Sequence, residues 1–79
     1  MMRKLLRFTA VRHKDHLRAI GPTGRAYEIE KRYPGEWILV AYANEDKEYG
    51  EKIDYGDLNA MKARARLEEQ IALSEDAGA

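Results

Sequence analysis

Two histidines that flank a carboxylate are the first candidates for chemistry in this sequence. His13 and His16 enclose Lys14 and Asp15, and imidazole and carboxylate groups are both ligands of transition metals. The segment is predicted to be a turn, where this spacing does not hold both rings on one side as helical i, i+4 spacing does. Lys14 and the nearby Arg12 also disfavour a bound dication. We therefore interpret the segment as a solvated turn and predict no metal site.

Acidic side chains are concentrated around one predicted loop, residues 44–50. Their spacing lacks the oxygen-ligand pattern of an EF-hand, so no calcium site is predicted. Negative charge along an exposed loop can instead imitate phosphate and contact a basic groove on a partner, although a solvated loop is the plainer alternative. Nearby tyrosines can anchor an interface. The predicted partner-binding surface consists of Glu45, Asp46, Glu48, Glu51, Tyr42 and Tyr49.

Basic residues are interleaved with aromatic residues in the first half of the chain. Aromatic rings beside arginines on a sheet are one way in which proteins grip single-stranded nucleic acid. Lysine and arginine also protect edge strands from pairing with other molecules, and no aromatic RNA-recognition motif is present. The alternative function is therefore a small nucleic-acid-binding accessory protein. Its predicted surface consists of Arg7, Arg12, Lys14, Arg18, Lys31 and Arg32.

No motif in the sequence supports catalysis. The one serine, Ser74, lies near the end of a predicted helix with no histidine nearby, which argues against a nucleophile. Gly21 and Gly24 belong to a turn and lack the strand-to-helix context of a phosphate-binding loop. We predict a protein that is not an enzyme, with no catalytic residue and no cofactor.

Length and composition limit the class of protein. Seventy-nine residues make one small domain, and the absence of cysteine fits a reducing compartment. Arg7 interrupts the apolar run near the start, and no apolar stretch is long enough to cross a bilayer, so a cytoplasmic protein without membrane contact is predicted. Residues 1–35 carry nine lysines and arginines against three acids, and residues 36–79 carry five against eleven. This polarity suggests a surface that meets a charged partner.

The longest apolar run, residues 37–43, is predicted to be the strand on which the core forms. Its aromatic and β-branched residues favour a strand, and turn signals bound it on both sides. Alternation along the strand places Trp37, Leu39, Ala41 and Ala43 on one face. The other face carries Ile38, Val40 and Tyr42. A strand that is apolar on both faces needs cover on both sides or a neighbour at each edge.

Similar alternation and turn residues predict the other elements. Pro34 and Gly35 have the composition of a type II turn and join two strands as a hairpin. The segment after residue 56 is a strong helix former, with Asp54 or Asp57 as its N-cap. The predicted elements are strands at about 4–11, 16–20, 25–33, 36–43 and 51–53 and a helix at about 57–75. They predict one α+β domain, an antiparallel sheet of four to five strands with one long C-terminal helix packed on one face.

The spacing of side chains predicts which faces are buried. Apolar residues at i, i+3 and i+4 spacing are expected to place the helix on the sheet through Leu58, Ala60, Met61, Ala63, Leu67, Ile71 and Leu73. The side chains expected to face outward are Ala26, Glu28, Glu30, Arg32, Arg66, Glu68 and Glu69. One helix covers only part of such a sheet, so Ile38, Val40 and Tyr42 are expected to be partly exposed. A monomer, or a homodimer through this apolar strip, is predicted.

The layout of the chain resembles short proteins that are common in phages and prophages. A glycine turn leads to a Gly-x-Trp strand (Gly35-Glu36-Trp37), followed by an acidic loop and a closing helix rich in leucine, alanine and lysine (Leu58 to Lys62 onward). Among these, it resembles the small anti-CRISPR proteins of type I systems, with type I-C as the candidate subtype. The resemblance implies a non-enzymatic inhibitor, in the cytoplasm of an infected or lysogenic bacterium, that docks on a Cascade-type complex and blocks target DNA binding. No functional residue can be carried over, because these inhibitors share no motif.

Overall fold

The chain folds as one antiparallel sheet followed by one helix, which confirms the predicted α+β class. The computed structural model describes residues 6–78, with side chains for residues 6–75. Within this part the sheet has five strands in the order of the sequence. The elements are β1 (Thr9–Ala10), β2 (His16–Ile20), β3 (Ala26–Tyr33), β4 (Glu36–Tyr42), β5 (Glu51–Gly56) and α1 (Leu58–Gly78). Strand β4 therefore has a neighbour at each edge, as its two apolar faces require.

The turn between β3 and β4 fixes the central hairpin as predicted. Gly35 has a φ of +76°, a left-handed conformation that glycine adopts without a steric penalty. The register that follows pairs Ile29 with Leu39 and Tyr27 with Ala41, which places their side chains on the face toward the helix. Because side chains alternate along each strand, Glu28 and Val40 share the opposite face. We call this second surface the open face.

The first strand is much shorter than predicted, and the last is longer. Strand β1 contains only Thr9 and Ala10, and part of the predicted range 4–11 lies outside the described residues. Leu6 is buried in the core, and its carbonyl accepts a hydrogen bond from Arg66 of α1 at 3.3 Å. Residues 6–8 therefore run beside the helix and take no part in the sheet. Strand β5 extends to Gly56 through an irregular register opposite Leu39 and Val40.

The helix lies on β3, β4 and β5, but it is rotated relative to the prediction. Its buried side carries Met61, Ala65, Glu69 and Ala72. Leu67, which was expected to face the sheet, is 53% exposed, and Ile71 is exposed as well. Tyr27, Ile29 and Leu39 fill the core from the sheet side, so alanines on the helix allow close approach between the two layers. The predicted contact at Met61 is confirmed, whereas farther along the helix the alanines Ala65 and Ala72 are buried in place of Leu67 and Ile71.

Glu69 is buried in this interface, which corrects the prediction that it faces outward. Its carboxylate is within 2.9 Å of the Thr23 backbone N–H and hydroxyl and within 2.8 Å of the Tyr27 hydroxyl, all of which donate to it. Burial and then the adjacent carboxylate raise the pKa of the Tyr27 hydroxyl. Gly21 packs so tightly against Glu69 that a side chain there would overlap the carboxylate. Glu69 thus joins the β2–β3 turn to the helix.

Asp57 caps the start of the helix, which resolves the predicted choice between two aspartates. Its carboxylate accepts a hydrogen bond from the Ala60 N–H at 2.8 Å, as an N-cap side chain does for an unpaired amide of the first turn. Asp54 instead lies within β5 and pairs with Arg64 at 3.3 Å. The helix extends to Gly78, beyond the predicted end at residue 75.

Candidate partner-binding site

The open face combines an apolar floor with charged side chains. The predicted strip of Ile38, Val40 and Tyr42 lies there, and each of these side chains is half-buried. Charged residues from the other strands and from the β4–β5 loop surround the strip. Together they enclose a cleft of about 380 Å³, lined by His16, Glu28, Glu30, Arg32, Ile38, Val40, Tyr42, Lys47 and Lys52. This face is therefore not a bare hydrophobic surface, because cations and carboxylates cover its margins.

Glu28 lies at the centre of the charged margin and is only 6% exposed. It was predicted to face outward into solvent, and although it does lie on the open face, the side chains of His16, Arg18 and Lys47 cover it. His16 Nε2 donates to Glu28 Oε1 at 2.6 Å, and Lys47 Nζ is 3.1 Å from Oε2. Arg18 Nε lies 3.5 Å from the same Oε2. A buried carboxylate needs such partners, because an unpaired charge away from water costs several kcal/mol.

The surroundings of Glu28 favour its ionised form. Burial alone raises the pKa of this carboxyl, but the contacts with His16 and Lys47 outweigh it, so the pKa of Glu28 lies below its ordinary value. The carboxylate is therefore charged at neutral pH and accepts hydrogen bonds only. Because β2 supplies His16 and Arg18 while the β4–β5 loop supplies Lys47, Glu28 connects the loop to the far side of β3.

The β4–β5 loop, residues 43–50, is held over the open face by several contacts. Arg18 donates to the backbone carbonyl of Glu45, next to the ion pair between Lys47 and Glu28. Inside the loop, the Ala43 N–H donates to the Glu48 carbonyl at 2.9 Å. Lys47 has a φ of +63°, an uncommon conformation for a residue other than glycine. The contacts between Lys47 and Glu28 hold the loop in this shape.

The predicted acidic residues lie on the outside of this loop and, in the case of Glu51, at the start of β5. Glu45, Asp46, Glu48 and Glu51 are all exposed. The Glu48 carboxylate accepts a hydrogen bond from the Asn44 side chain at 2.6 Å, and the Asn44 side chain in turn accepts from the Asp46 N–H at 2.9 Å. The loop therefore presents carboxylates from a backbone that its own side chains brace.

The two tyrosines predicted as anchors have different environments. Tyr49 is 85% exposed and has a φ of +55°, so a bulky side chain occupies a left-handed position at the loop surface. Tyr42 is half-buried at the end of β4, and its ring lies against Gly50 so closely that no side chain would fit there. Tyr49 is thus available to a partner, whereas Tyr42 supports the loop.

The six basic residues of the predicted nucleic-acid surface have different environments in the structure. Arg18 contacts Glu28 and the Glu45 carbonyl, and Lys31 pairs with Asp15 at 3.9 Å. Both cations are therefore engaged within the protein. The members of the set that are exposed are Arg7, Arg12, Lys14 and Arg32.

No local pattern in the sequence marks the residues that hold the site together. Lys47 is a single lysine within the predicted acidic loop, and its partner Glu28 is one of two acids on β3. His16 begins β2, as the predicted strand at 16–20 has it, and contacts Glu28, while the His13 ring in the preceding turn accepts the Asp15 N–H at 3.2 Å. Among the residues that the structure describes, no three histidine, aspartate or glutamate side chains are placed to hold a metal ion.

Comparisons with known proteins give this chain no relative. No protein-family profile, curated protein or solved structure matches it. Within the described part of the chain, no helix is both long enough and apolar enough to span a bilayer. Function must therefore be argued from the geometry and charge of the site itself.

Proposed function

We propose that this protein acts by binding another protein through the acidic loop. The observation that carries the proposal is the arrangement around Lys47: its ammonium pairs with buried Glu28, while the side chains of Glu45 and Asp46 are exposed. The one cation of the loop is thereby drawn onto the sheet, and the loop presents carboxylates outward. A surface of this kind fits a basic groove on its partner.

The contacts that brace the loop support binding in two ways. A loop that is already ordered loses less conformational entropy on association than a flexible one, so more of the contact energy appears as affinity. Negative charge on the exposed side accelerates encounter with a basic surface and gives the association a dependence on salt. Tyr49, projecting beside the carboxylates, supplies the type of aromatic side chain that often dominates interface energies.

The basic groove of the partner is, in this proposal, a DNA-binding channel. The acidic loop enters this channel by imitating DNA. Proteins that hold DNA neutralise phosphates with lysine and arginine, so their channels attract closely spaced carboxylates. The resemblance to small anti-CRISPR proteins suggests a type I surveillance complex, with type I-C as the first candidate. In this proposal the chain is a non-enzymatic inhibitor that occupies the channel and excludes target DNA.

The test is binding to a purified type I-C surveillance complex, followed by competition with target DNA. The variant is the double charge reversal Glu45→Lys with Asp46→Lys, since neither side chain holds the loop in place. The matched control is Glu36→Lys, which reverses a charge at the opposite end of β4. We expect the double variant to lose ~10–100-fold in affinity, because like charges at an interface cost several kcal/mol. The control should bind as the wild-type protein does.

Two outcomes would overturn this proposal. The first is wild-type protein that neither binds the complex nor competes with DNA. The second is a folded double variant that binds as tightly as the control. Tight binding of wild-type protein to bare DNA or RNA, with a steep loss of affinity on adding salt, would instead support the nucleic-acid-binding alternative.

A further inference from the structure

A second groove lies on the helix side of the sheet, between the C-terminal half of α1 and strands β4 and β5. We call it the helix groove, and its volume is about 250 Å³. Its floor is apolar: Ala41 and Ile53 pack against the core, and Ala72 of the helix is buried. Sites for drug-sized molecules usually enclose ~300–1,000 Å³. The helix groove is therefore of a size for one extended side chain of a partner.

Negative charge surrounds the helix groove. Carboxylates line it from both sides, with Glu51 at the start of β5 and Glu68 and Glu75 on α1. Arg25 is the one cation among the described lining residues, and it already has an interaction within the protein. Glu68 pairs with Arg64 at 3.0 Å. Within the described part of the chain, Glu51 and Glu75 have no ion-pair partner, and both are exposed. The groove therefore offers two carboxylates to a cation from outside.

The end of the helix adds to this negative potential. The carbonyl groups in the last turn of a helix carry a partial negative charge, which favours a cation nearby. Helix α1 ends at Gly78, and its last turn contains no basic residue. Glu75 lies close to that end. A cation bound beside Glu75 would therefore be stabilised by both the carboxylate and the helix end.

We propose that the helix groove binds an arginine side chain of the protein partner. This inference rests on the proposed function, because Ala43 and Tyr49 of the acidic loop form one end of the groove and would contact the same partner. The aliphatic stem of the arginine lies on the apolar floor. Its guanidinium donates hydrogen bonds to Glu51 and Glu75. The exposed ring of Tyr49 offers a face on which a guanidinium stacks.

NMR titration with a blocked amino acid tests the groove without any partner protein. The probe is N-acetyl-arginine amide at low salt, and the control probe is N-acetyl-citrulline amide, which has a similar shape and no charge. We expect saturable shifts of the amide signals of Ala41, Ile53 and Ala72 with the arginine probe. So small a probe should bind with a dissociation constant in the millimolar range. The citrulline probe should bind at least ~10-fold more weakly, because it cannot form charge-assisted hydrogen bonds.

Two double variants, each of which removes two negative charges, locate the binding. The groove variant is Glu51→Gln with Glu75→Gln, and the control is Glu45→Gln with Asp46→Asn in the acidic loop. All four side chains are exposed, so both proteins should keep the wild-type fold, which the amide spectrum checks. We expect the groove variant to bind the arginine probe ~10-fold more weakly. The control should bind within about twofold of the wild type, because its charges do not line the groove and salt screens them.

Several results would overturn the inference: no saturable shifts in the wild-type protein, equal binding of the two probes, or wild-type affinity in the folded groove variant. Tighter binding of N-acetyl-lysine amide would overturn the choice of a guanidinium. A protein that binds the arginine probe in the groove but not the surveillance complex would support this inference and overturn the proposed function. The reverse result would overturn this inference alone.

Discussion

Glu28 and Glu69 are buried to a similar extent, 6% and 4% exposed, on opposite faces of the same sheet. Glu28 is surrounded by cations from β2 and the β4–β5 loop, whereas Glu69 accepts hydrogen bonds from the uncharged groups of Thr23 and Tyr27. The first carboxylate is neutralised by charge, and the second is stabilised by dipoles. Both solutions satisfy a buried acid, but they connect different parts of the molecule.

The difference assigns the two carboxylates different roles. Glu69 joins the helix to the β2–β3 turn in the core, so its loss should affect the whole fold. The cationic partners of Glu28 remain partly in contact with solvent, and one of them belongs to the loop that we propose as the binding surface. Its loss should therefore act mainly on that loop.

The largest effect is expected for Glu69→Ala. Removing the carboxylate leaves the Tyr27 hydroxyl and the Thr23 N–H buried without an acceptor, and it creates a cavity beside Gly21. We expect the free energy of unfolding to fall by about 3–5 kcal/mol, measured by urea denaturation. The control is Glu68→Ala on the adjacent position, whose ion pair with Arg64 is partly exposed and should contribute ~1 kcal/mol or less. Equal losses in the two variants would show that Glu69 does not hold the helix in place.

A smaller, pH-dependent effect is expected for Glu28→Gln. The substitution leaves His16, Arg18 and Lys47 without their shared anion, and we expect a loss of about 1–3 kcal/mol at neutral pH, because these side chains can still reach water. Since the pKa of Glu28 is lowered in the folded state, its contribution is complete above the ordinary pKa of the carboxyl and is lost as the pH falls through the lowered value. The difference between wild type and variant should therefore shrink in acid. A difference that stays constant from neutral to acid pH would contradict the ionised carboxylate.

Local patterns were sufficient to predict most of the fold. Alternation predicted β2, β3 and β4 to within about a residue, and the Pro34-Gly35 turn predicted the central hairpin. Asp57 was one of the two expected caps. These features depend on neighbours in the sequence, so a single sequence contains the information.

The rotation of the helix and the two buried carboxylates could not be predicted in this way. Hydrophobicity alone favoured Leu67 and Ile71 as the buried side, whereas the rotation is set by close packing at Ala65 and by the bonds that Glu69 forms with Thr23 and Tyr27, over 40 residues away in sequence. Glu28 is buried because cations arrive from two other segments. Nothing in the local sequence of either glutamate distinguishes it from an exposed acid.

The central claim is that Glu28 holds the acidic loop in a defined shape. Hydrogen exchange of backbone amides by NMR, in wild-type protein and in Glu28→Gln, tests it most directly. The informative amides are those of Ala43 and Lys47, which donate to carbonyls inside the loop, with those of Met61 and Ala65 in α1 as internal controls. We expect the loop amides to be protected in the wild type and to exchange much faster in the variant, while the helix amides remain protected. Loop amides that exchange at the same rate in both proteins would contradict it.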